Sequence, residues 1–403
     1  MLYVPLYFEA IRSRPARVFW LATLTQAALW LAVPTLFYSA PPGNLPQILA
    51  IGHEFQFDSD VGPPLAFWIA EIAFRIGGPF GVYVLSQICV IATYWCVFKL
   101  GRAIVGPAQA VIAVLLMVGI SPFTVPTPDL GPPILTMALW ACVLLHYWRA
   151  VMEGRKRSWY ALGCAAALIL LASEAALILL GALVLFTIGT ERGRAALDRI
   201  EPWIVAAVLA FFLFVHLLWL EGSGDSLTPM VARLREAATA GTNTQAWLRL
   251  LAALLLAHAG LAILVVLASG WAGARGAPTP ALARRAVDPF AARFVKVFAV
   301  VPALLATIFA VVIGRRLPIG GTAPLLVLSG LAVTLVLGEG IELYHQRILG
   351  FAWAGLLLVP ALLVPLMMIV LPWTLAIDLR VAEPATAIGR FFAENFQSRT
   401  GRP

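Results

Sequence analysis

GHEFQFDSDVGPPLAFW, residues 52–68, places Glu54, Asp58 and Asp60 close together just after the first long apolar segment of the chain. No Lys or Arg lies between residues 40 and 63 to balance them. A carboxylate cluster without basic partners can hold a hard divalent cation, take a proton from a hydroxyl, or simply keep a loop wet. The rest of the chain decides among these.

By composition 61% of the residues are hydrophobic and 12% are charged, with a mean hydropathy of +0.92. That excludes a soluble globular domain. Apolar runs about as long as a bilayer is thick recur along the chain, bounded by Pro, Gly or charged clusters, so helices rather than barrel strands span the membrane. The fold class is an all-α polytopic membrane protein of about eleven spans, near 18–39, 80–98, 103–120, 132–149, 159–173, 174–188, 202–220, 246–270, 293–314, 322–338 and 349–373. The segment PLAFWIAEIAFRIGG, 64–78, is amphipathic and short, with Glu71 and Arg75 one turn apart, and reads as an interface helix. Residues 1–373 form the transmembrane unit, with the first loop and interface helix at 40–79; residues 374–403 read as a polar, helical tail outside the membrane, resembling the start of a soluble segment.

Positive charge tests this layout. Arg12, Arg14 and Arg17, then Lys99 and Arg102, then Arg149, Arg155, Lys156 and Arg157, then Arg192, Arg194 and Arg199, then Arg275, Arg284 and Arg285 fall in alternate loops, whereas loops 40–63 and 121–131 contain no Lys or Arg. The N-terminus is therefore expected in the cytoplasm, and the acidic first loop outside it. The later outer loops are less clean, with Arg233, Arg235, Arg315 and Arg316. The net charge of +8 follows from this topology, not from a face for nucleic acid. Cys89, Cys96, Cys142 and Cys164 lie inside apolar segments without metal spacing and read as small core residues. The first span, following MLYVPLYFEAIRSRPAR, lacks a small-residue cleavage site and reads as a retained helix.

The loop SPFTVPTPDLGPP, 121–133, emerges on the same side as the first loop, so Asp129 can converge with Glu54, Asp58 and Asp60 if the two loops fold together. The alternative is that Asp129 caps the next helix. Glu174 either lies at membrane depth or marks a short turn between two spans. His216, Glu221 and His258 read as groups hydrogen-bonded between helices. Glu339, Glu342, His345 and Arg347 read as a cytoplasmic loop between the last two spans. No nucleotide-binding loop, zinc-protease helix or nucleophile elbow stands in a credible context.

The run PPGNLPQILAIGHEFQFDSDVGPPLAFW, 41–68, is more specific. It resembles the first outer loop of the GT-C fold glycosyltransferases that use polyprenyl-phosphate sugars, the group of the protein O-mannosyltransferases and aminoarabinose transferases. Gly52, Glu54, Phe55 and Gln56, then Pro63, Pro64, Leu65 and Trp68, look like the family's paired motifs, and Pro128 with Asp129 looks like its second-loop pair. Where the family usually carries its first acidic pair this chain has Asn44 and Gln47, and Gly62 stands where a His or Lys is usual.

The resemblance implies an inverting glycosyltransferase of the bacterial inner membrane, active on the periplasmic face, with a polyprenyl-phosphate-sugar donor and a lipid, glycan or protein acceptor. It puts the catalytic role on Asp60 or Asp58 with Asp129, and substrate binding on Glu54, His53 and Trp68; Arg233 and Arg235 either face the departing phosphate, for which guanidinium is suited, or are ordinary outer-loop charges. A divalent metal ion at the carboxylates is an alternative to direct proton abstraction. Two other readings stay open: a silent relative that binds polyprenyl phosphate, and a secondary transporter using Glu174.

Overall fold

The structure is a computed structural model that describes residues 9–55, 63–126, 128–222, 244–269, 281–284, 286–313, 322–342, 346–375 and 379–401. Its helices are α1 Pro15–Phe37, α2 Leu45–His53, α3 Leu65–Ile104, α4 Pro107–Met117, α5 Pro132–Val151, α6 Lys156–Leu170, α7 Ala176–Gly189, α8 Glu201–Gly222, α9 Thr244–Ala257, α10 Ala259–Ala268, α11 Pro289–Ile313, α12 Ser329–Val336, α13 Gln346–Leu375 and α14 Ala385–Thr400, with one-turn helices at Ser121–Thr124 and Glu191–Ala196. Proline stands in the first turn of α1, α2, α4 and α5, where the missing N–H would have had no helical partner anyway.

Helix α3 joins two of the expected elements. Its backbone leaves helical geometry at Gly77 and Gly78, and Pro79 restarts it. The break separates an amphipathic stretch, 65–76, from an apolar stretch, 79–104, that is long enough to cross a bilayer. The break falls where the sequence led us to expect the amphipathic segment 64–78 to end and the span at 80–98 to begin.

The expected eleven spans divide by length. Among the described residues five helices are long and apolar enough to cross, namely α1, α3, α5, α11 and α13, or six if α9 and α10 count as one span bent by 40°. The segments expected at 103–120, 174–188 and 322–338 form shorter apolar helices instead. Helix α4 shows why: its 11 residues rise only about 16 Å. The chain then continues through a turn, the short helix Ser121–Thr124 and, at 128–131, irregular backbone, and Ile120, Phe123 and Leu130 of this stretch are fully buried. Here Gln26 of α1 donates its side-chain N–H to the Phe123 carbonyl and accepts the Tyr94 hydroxyl at 2.9 Å, tying this segment to α1 and α3.

Helices α6 and α7 form a hairpin whose turn is closed by Ser173 Oγ accepting the Ala175 N–H at 3.1 Å, with Glu174 exposed. Glu174 therefore marks a turn and is not inside a span. At the α9–α10 bend, His258 Nδ1 donates to the Leu254 carbonyl at 2.7 Å, which leaves Nε2 to accept the Ser329 hydroxyl at 2.9 Å. This histidine links helices, as expected. The core where α5, α7 and α11 meet is aromatic: Phe290, Phe294 and Phe298, four residues apart along α11, surround Tyr147 and Phe186. The Tyr147 hydroxyl is paired with Thr187 Oγ1 at 2.8 Å.

Two features were not legible in sequence. Ala281–Ala283 and Gly340–Glu342 pair as an antiparallel ribbon, β1 and β2, where a plain loop was expected at 338–347. Gln109, buried in α4, anchors this ribbon by donating to the Leu282 and Glu339 carbonyls at 3.0 and 3.2 Å. Helix α13 is peripheral: only 11% of its most apolar stretch is buried, so most of its surface suits lipid. Residue 381, between α13 and α14, is tied back to the first loop, since the Ser39 and Ala40 N–H groups donate to the Val381 carbonyl at 2.8 and 3.1 Å.

Candidate active site

The first loop folds around α2. Asn44 is the residue before that helix, and its side chain makes no capping bond. Instead Asp129, from the second loop, accepts the Asn44 backbone N–H on Oδ2 at 3.5 Å and the Gly131 N–H on Oδ1 at 3.3 Å. The two loops do meet, and they meet at a carboxylate. Both bonds are longer than an ordinary amide hydrogen bond, so they leave much of the acceptor capacity of the two oxygens unspent. Helix α5 takes Gly131 as its N-cap without a side-chain cap. Asp129 is therefore not the capping residue of α5; it closes an Asx turn one step before it.

Gly43 makes this approach geometrically feasible. Its φ is +55°, and a Cβ there would lie 2.7 Å from Asp129 Oδ2. The other side of the contact is strained. Leu130, fully buried, sits at φ +48°, a left-handed conformation that costs an L-residue roughly 1–2 kcal/mol. The other non-glycine residue with positive φ among the described residues is Phe55, at +49°, in the first loop. One strained residue in each of two touching loops marks this end of the bundle as a place where geometry is held against local preference.

The far end of α2 is fixed differently. Gly52 packs so closely on the interface half of α3 that a Cβ would come within 2.4 Å of the Phe67 carbonyl oxygen. Beside it, buried Glu71 accepts from Arg75 Nε at 2.7 Å and from His53 Nδ1 at 3.0 Å, all on Oε1. The Arg75 guanidinium lies 5.0 Å from the Phe55 ring centre. Phe55 is thus held under a cation, and Glu54, exposed, stands between it and His53. On the other flank of segment 56–62, Pro63 and Pro64 are buried, and the Leu65 N–H donates to the Leu171 carbonyl at 3.0 Å.

Asp129 meets the first loop at Asn44, at the N-terminal end of α2. His53 and Glu54 lie at its C-terminal end, nine residues and so about 13 Å away. His53 is 75% exposed at its side chain and oriented by Glu71, a partner that no sequence signal indicated. Trp68 lies in the first turn of α3, partly buried. Asp58 and Asp60 lie outside the described residues, as do Arg233 and Arg235. Asn44 and Gln47 are both exposed, and Asn44 contributes through its backbone, not its amide side chain. Among the described residues no three His, Cys, Asp or Glu side chains gather to hold a metal ion.

Residues 61–219 match the family model described as dolichyl-phosphate-mannose-protein mannosyltransferase. This stretch starts in the first loop, takes in Asp129 and ends in α8. The structure is similar to the crystal structure of ArnT from Cupriavidus metallidurans bound to undecaprenyl phosphate, with a TM-score of 0.55, 12% sequence identity, and coverage of 90% of this chain and 66% of that one. At that identity the likeness speaks for the fold, and the chain spans less than two thirds of the length of ArnT. No curated protein matches the sequence.

Proposed function

We propose that this multi-span membrane protein, which has the GT-C fold of ArnT and a mannosyltransferase-type segment at 61–219, transfers a sugar from a polyprenyl phosphate to an acceptor hydroxyl. The observation that carries the proposal is the seating of Asp129 against Asn44, which brings the Pro-Asp loop onto the loop that holds the other carboxylates. The undecaprenyl phosphate named with ArnT supports a lipid-phosphate donor. The charge asymmetry of the loops supports a cytoplasmic N-terminus, an inner-membrane location and a periplasmic reaction face.

In this reading the acceptor hydroxyl attacks the anomeric carbon from the face opposite the phosphate. The new glycosidic C–O bond forms, the bond to the lipid phosphate breaks, and configuration inverts. Asp58 or Asp60 takes the hydroxyl proton, and Asp129 orients the acceptor through its unspent acceptor capacity. Glu54 extends the polar edge at the other end of α2. Arg233 and Arg235 face the departing phosphate, for which the guanidinium fork is suited. The acceptor is a lipid, glycan or protein.

A second reading has one observation of its own. Asn44 is neutral where the resembling enzymes are acidic, and it gives Asp129 a backbone N–H instead of a second carboxylate. A chain so altered binds polyprenyl phosphate without transferring its sugar. Proteoliposomes with a radiolabelled polyprenyl-phosphate sugar and a lipid acceptor extract separate the two. Labelled product above protein-free vesicles supports transfer; saturable donor binding with no product supports the silent reading. Loss of product with a chelator and its return with Mg²⁺ would assign a divalent ion to the carboxylates.

A further inference from the structure

The bundle has a second polar site at its other end. Helix α5 starts three residues after Asp129 and runs for 20 residues, about 30 Å, to Val151. Met152, next in the chain, meets Arg192, whose Nη1 lies 3.3 Å from its sulfur. Here a cavity of about 450 Å³ opens between the end of α7, the one-turn helix Glu191–Ala196 and the start of α11, lined by Arg192, Arg194, Arg293, Glu191, Asp288 and Phe290 among others. That volume falls in the range of roughly 300–1,000 Å³ typical of ligand clefts.

Its charges are unevenly committed. Asp288 is fully engaged, accepting from Arg192 Nη2 at 2.9 Å and from the Phe290 N–H at 2.8 Å. It neutralises Arg192, whose guanidinium also lies 5.5 Å from the Phe290 ring centre. Arg194 gives one N–H to the Ile188 carbonyl at 2.8 Å, out of the five a guanidinium carries. Arg293, one turn into α11, is exposed. Three guanidinium groups against two carboxylates leave one positive charge in a cleft whose apolar lining is Pro289 and Phe290.

Nearby residues place the cavity at the level of a membrane surface. Trp203 is 58% exposed with its indole N–H tied to the Leu197 carbonyl at 2.9 Å, and Ile200 is 68% exposed. An amphipathic ring beside exposed aliphatic surface is the pattern of a bilayer interface. Arg149 lies in the last turn of α5, and Arg199 Nη1 donates to the Gly154 carbonyl at 3.2 Å, so Arg199 and the basic stretch around 149–157 lie at the same end. Phosphate at such a surface comes from lipid headgroups, and planar guanidinium forks bind it through paired N–H bonds.

We infer that this cavity binds the phosphate of an anionic phospholipid headgroup, at the end of the protein opposite the candidate active site. The test uses the full chain in a neutral detergent, titrated with phosphatidylglycerol or phosphatidylcholine and read by native mass spectrometry. Wild type should retain phosphatidylglycerol in preference to phosphatidylcholine. Arg194→Gln combined with Arg293→Gln should lower that retention roughly tenfold, while Arg157→Gln, at the same end but outside the cavity, should leave it unchanged. Equal retention by wild type and the double variant, or an equal loss in Arg157→Gln, overturns the site. Displacement of the lipid by millimolar inorganic phosphate overturns the lipid source. If the double variant does not fold, Arg293→Gln alone carries the test, because that side chain is exposed. The readout is lipid retention far from Asp129, so its failure leaves the transfer proposal standing.

Discussion

Asp129 accepts the backbone N–H of Asn44 at 3.5 Å across 85 residues of sequence, and this one contact joins the two loops that carry the candidate chemistry. The contact needs a residue without a Cβ at 43 and a carboxylate reaching back from a tight turn at 129–131. It also gives the neutral residue at 44 a role that its side chain does not reveal.

Gly43→Ala tests that contact. The new methyl would sit 2.7 Å from Asp129 Oδ2 on a backbone with φ +55°, so we expect a loss of roughly 1–2 kcal/mol from the left-handed strain alone. Displacing the carboxylate should lower sugar transfer further than the stability loss explains. Gly181→Ala, in α7 with open space around the added Cβ, should be neutral or stabilising by roughly 0.5–1 kcal/mol. Thermal unfolding and transfer rates of both variants provide the check.

At the other end of α2, Gly52→Ala should be the more damaging change. Its Cβ would meet the Phe67 carbonyl oxygen at 2.4 Å, and that backbone cannot rotate away. Overpacking of this kind costs about 1–3 kcal/mol. Arg75→Gln is gentler, because Arg75 is 54% exposed and solvent screens its pair with Glu71; about 1 kcal/mol is expected. Since Arg75 also holds Phe55, it should reduce transfer while the unfolding midpoint moves little.

Gln109→Leu removes the donor that two carbonyls share. Leu282 and Glu339 would lose their only bridge to α4 among the described residues, and we expect a cost of about 1–3 kcal/mol. Denaturation of the purified variant measures it, with loss of the β1–β2 ribbon visible as faster hydrogen exchange at 281–283 and 340–342.

The pair Arg192–Asp288 gives a prediction in pH. The hydrogen bond from Arg192 holds the Asp288 carboxyl below its ordinary value of 3.8, against the opposing effect of burial. A depressed folded-state pKa means the pair stabilises fully above the unfolded value and that this is lost as pH falls through the folded one. Wild type should therefore exceed Asp288→Asn in unfolding midpoint near pH 7, and the two curves should converge as pH falls through the lowered folded-state pKa. The difference should be small, because the side chains are 49% and 38% exposed.

The sequence carried the membrane class and the junction between the amphipathic stretch and the span that follows it, because hydropathy and the Gly77-Gly78 pair are local signals; loop charge put the two loops on one side and so allowed them to meet without requiring it. It did not carry the partner of His53, since Glu71 lies 18 residues away with no pattern linking them. It placed a loop at 121–133 but did not reveal that Ile120, Phe123 and Leu130 within and beside it are buried, because burial in a loop depends on packing partners far away in the chain. Nor did it separate capping from site-building at Asp129: both need an acid before a helix, and only the reach to Asn44 distinguishes them.

The central claim is that carboxylates of the two loops act together in sugar transfer. The most direct measurement is turnover of a radiolabelled polyprenyl-phosphate sugar in proteoliposomes by wild type, Asp58→Asn, Asp60→Asn and Asp129→Asn, with kcat and KM determined separately. We expect a fall of about 10²–10⁴ in kcat for the variant lacking the base, Asp58 or Asp60, and for Asp129→Asn a rise in acceptor KM with a smaller loss of kcat. Wild-type kcat and KM in all three variants would contradict it.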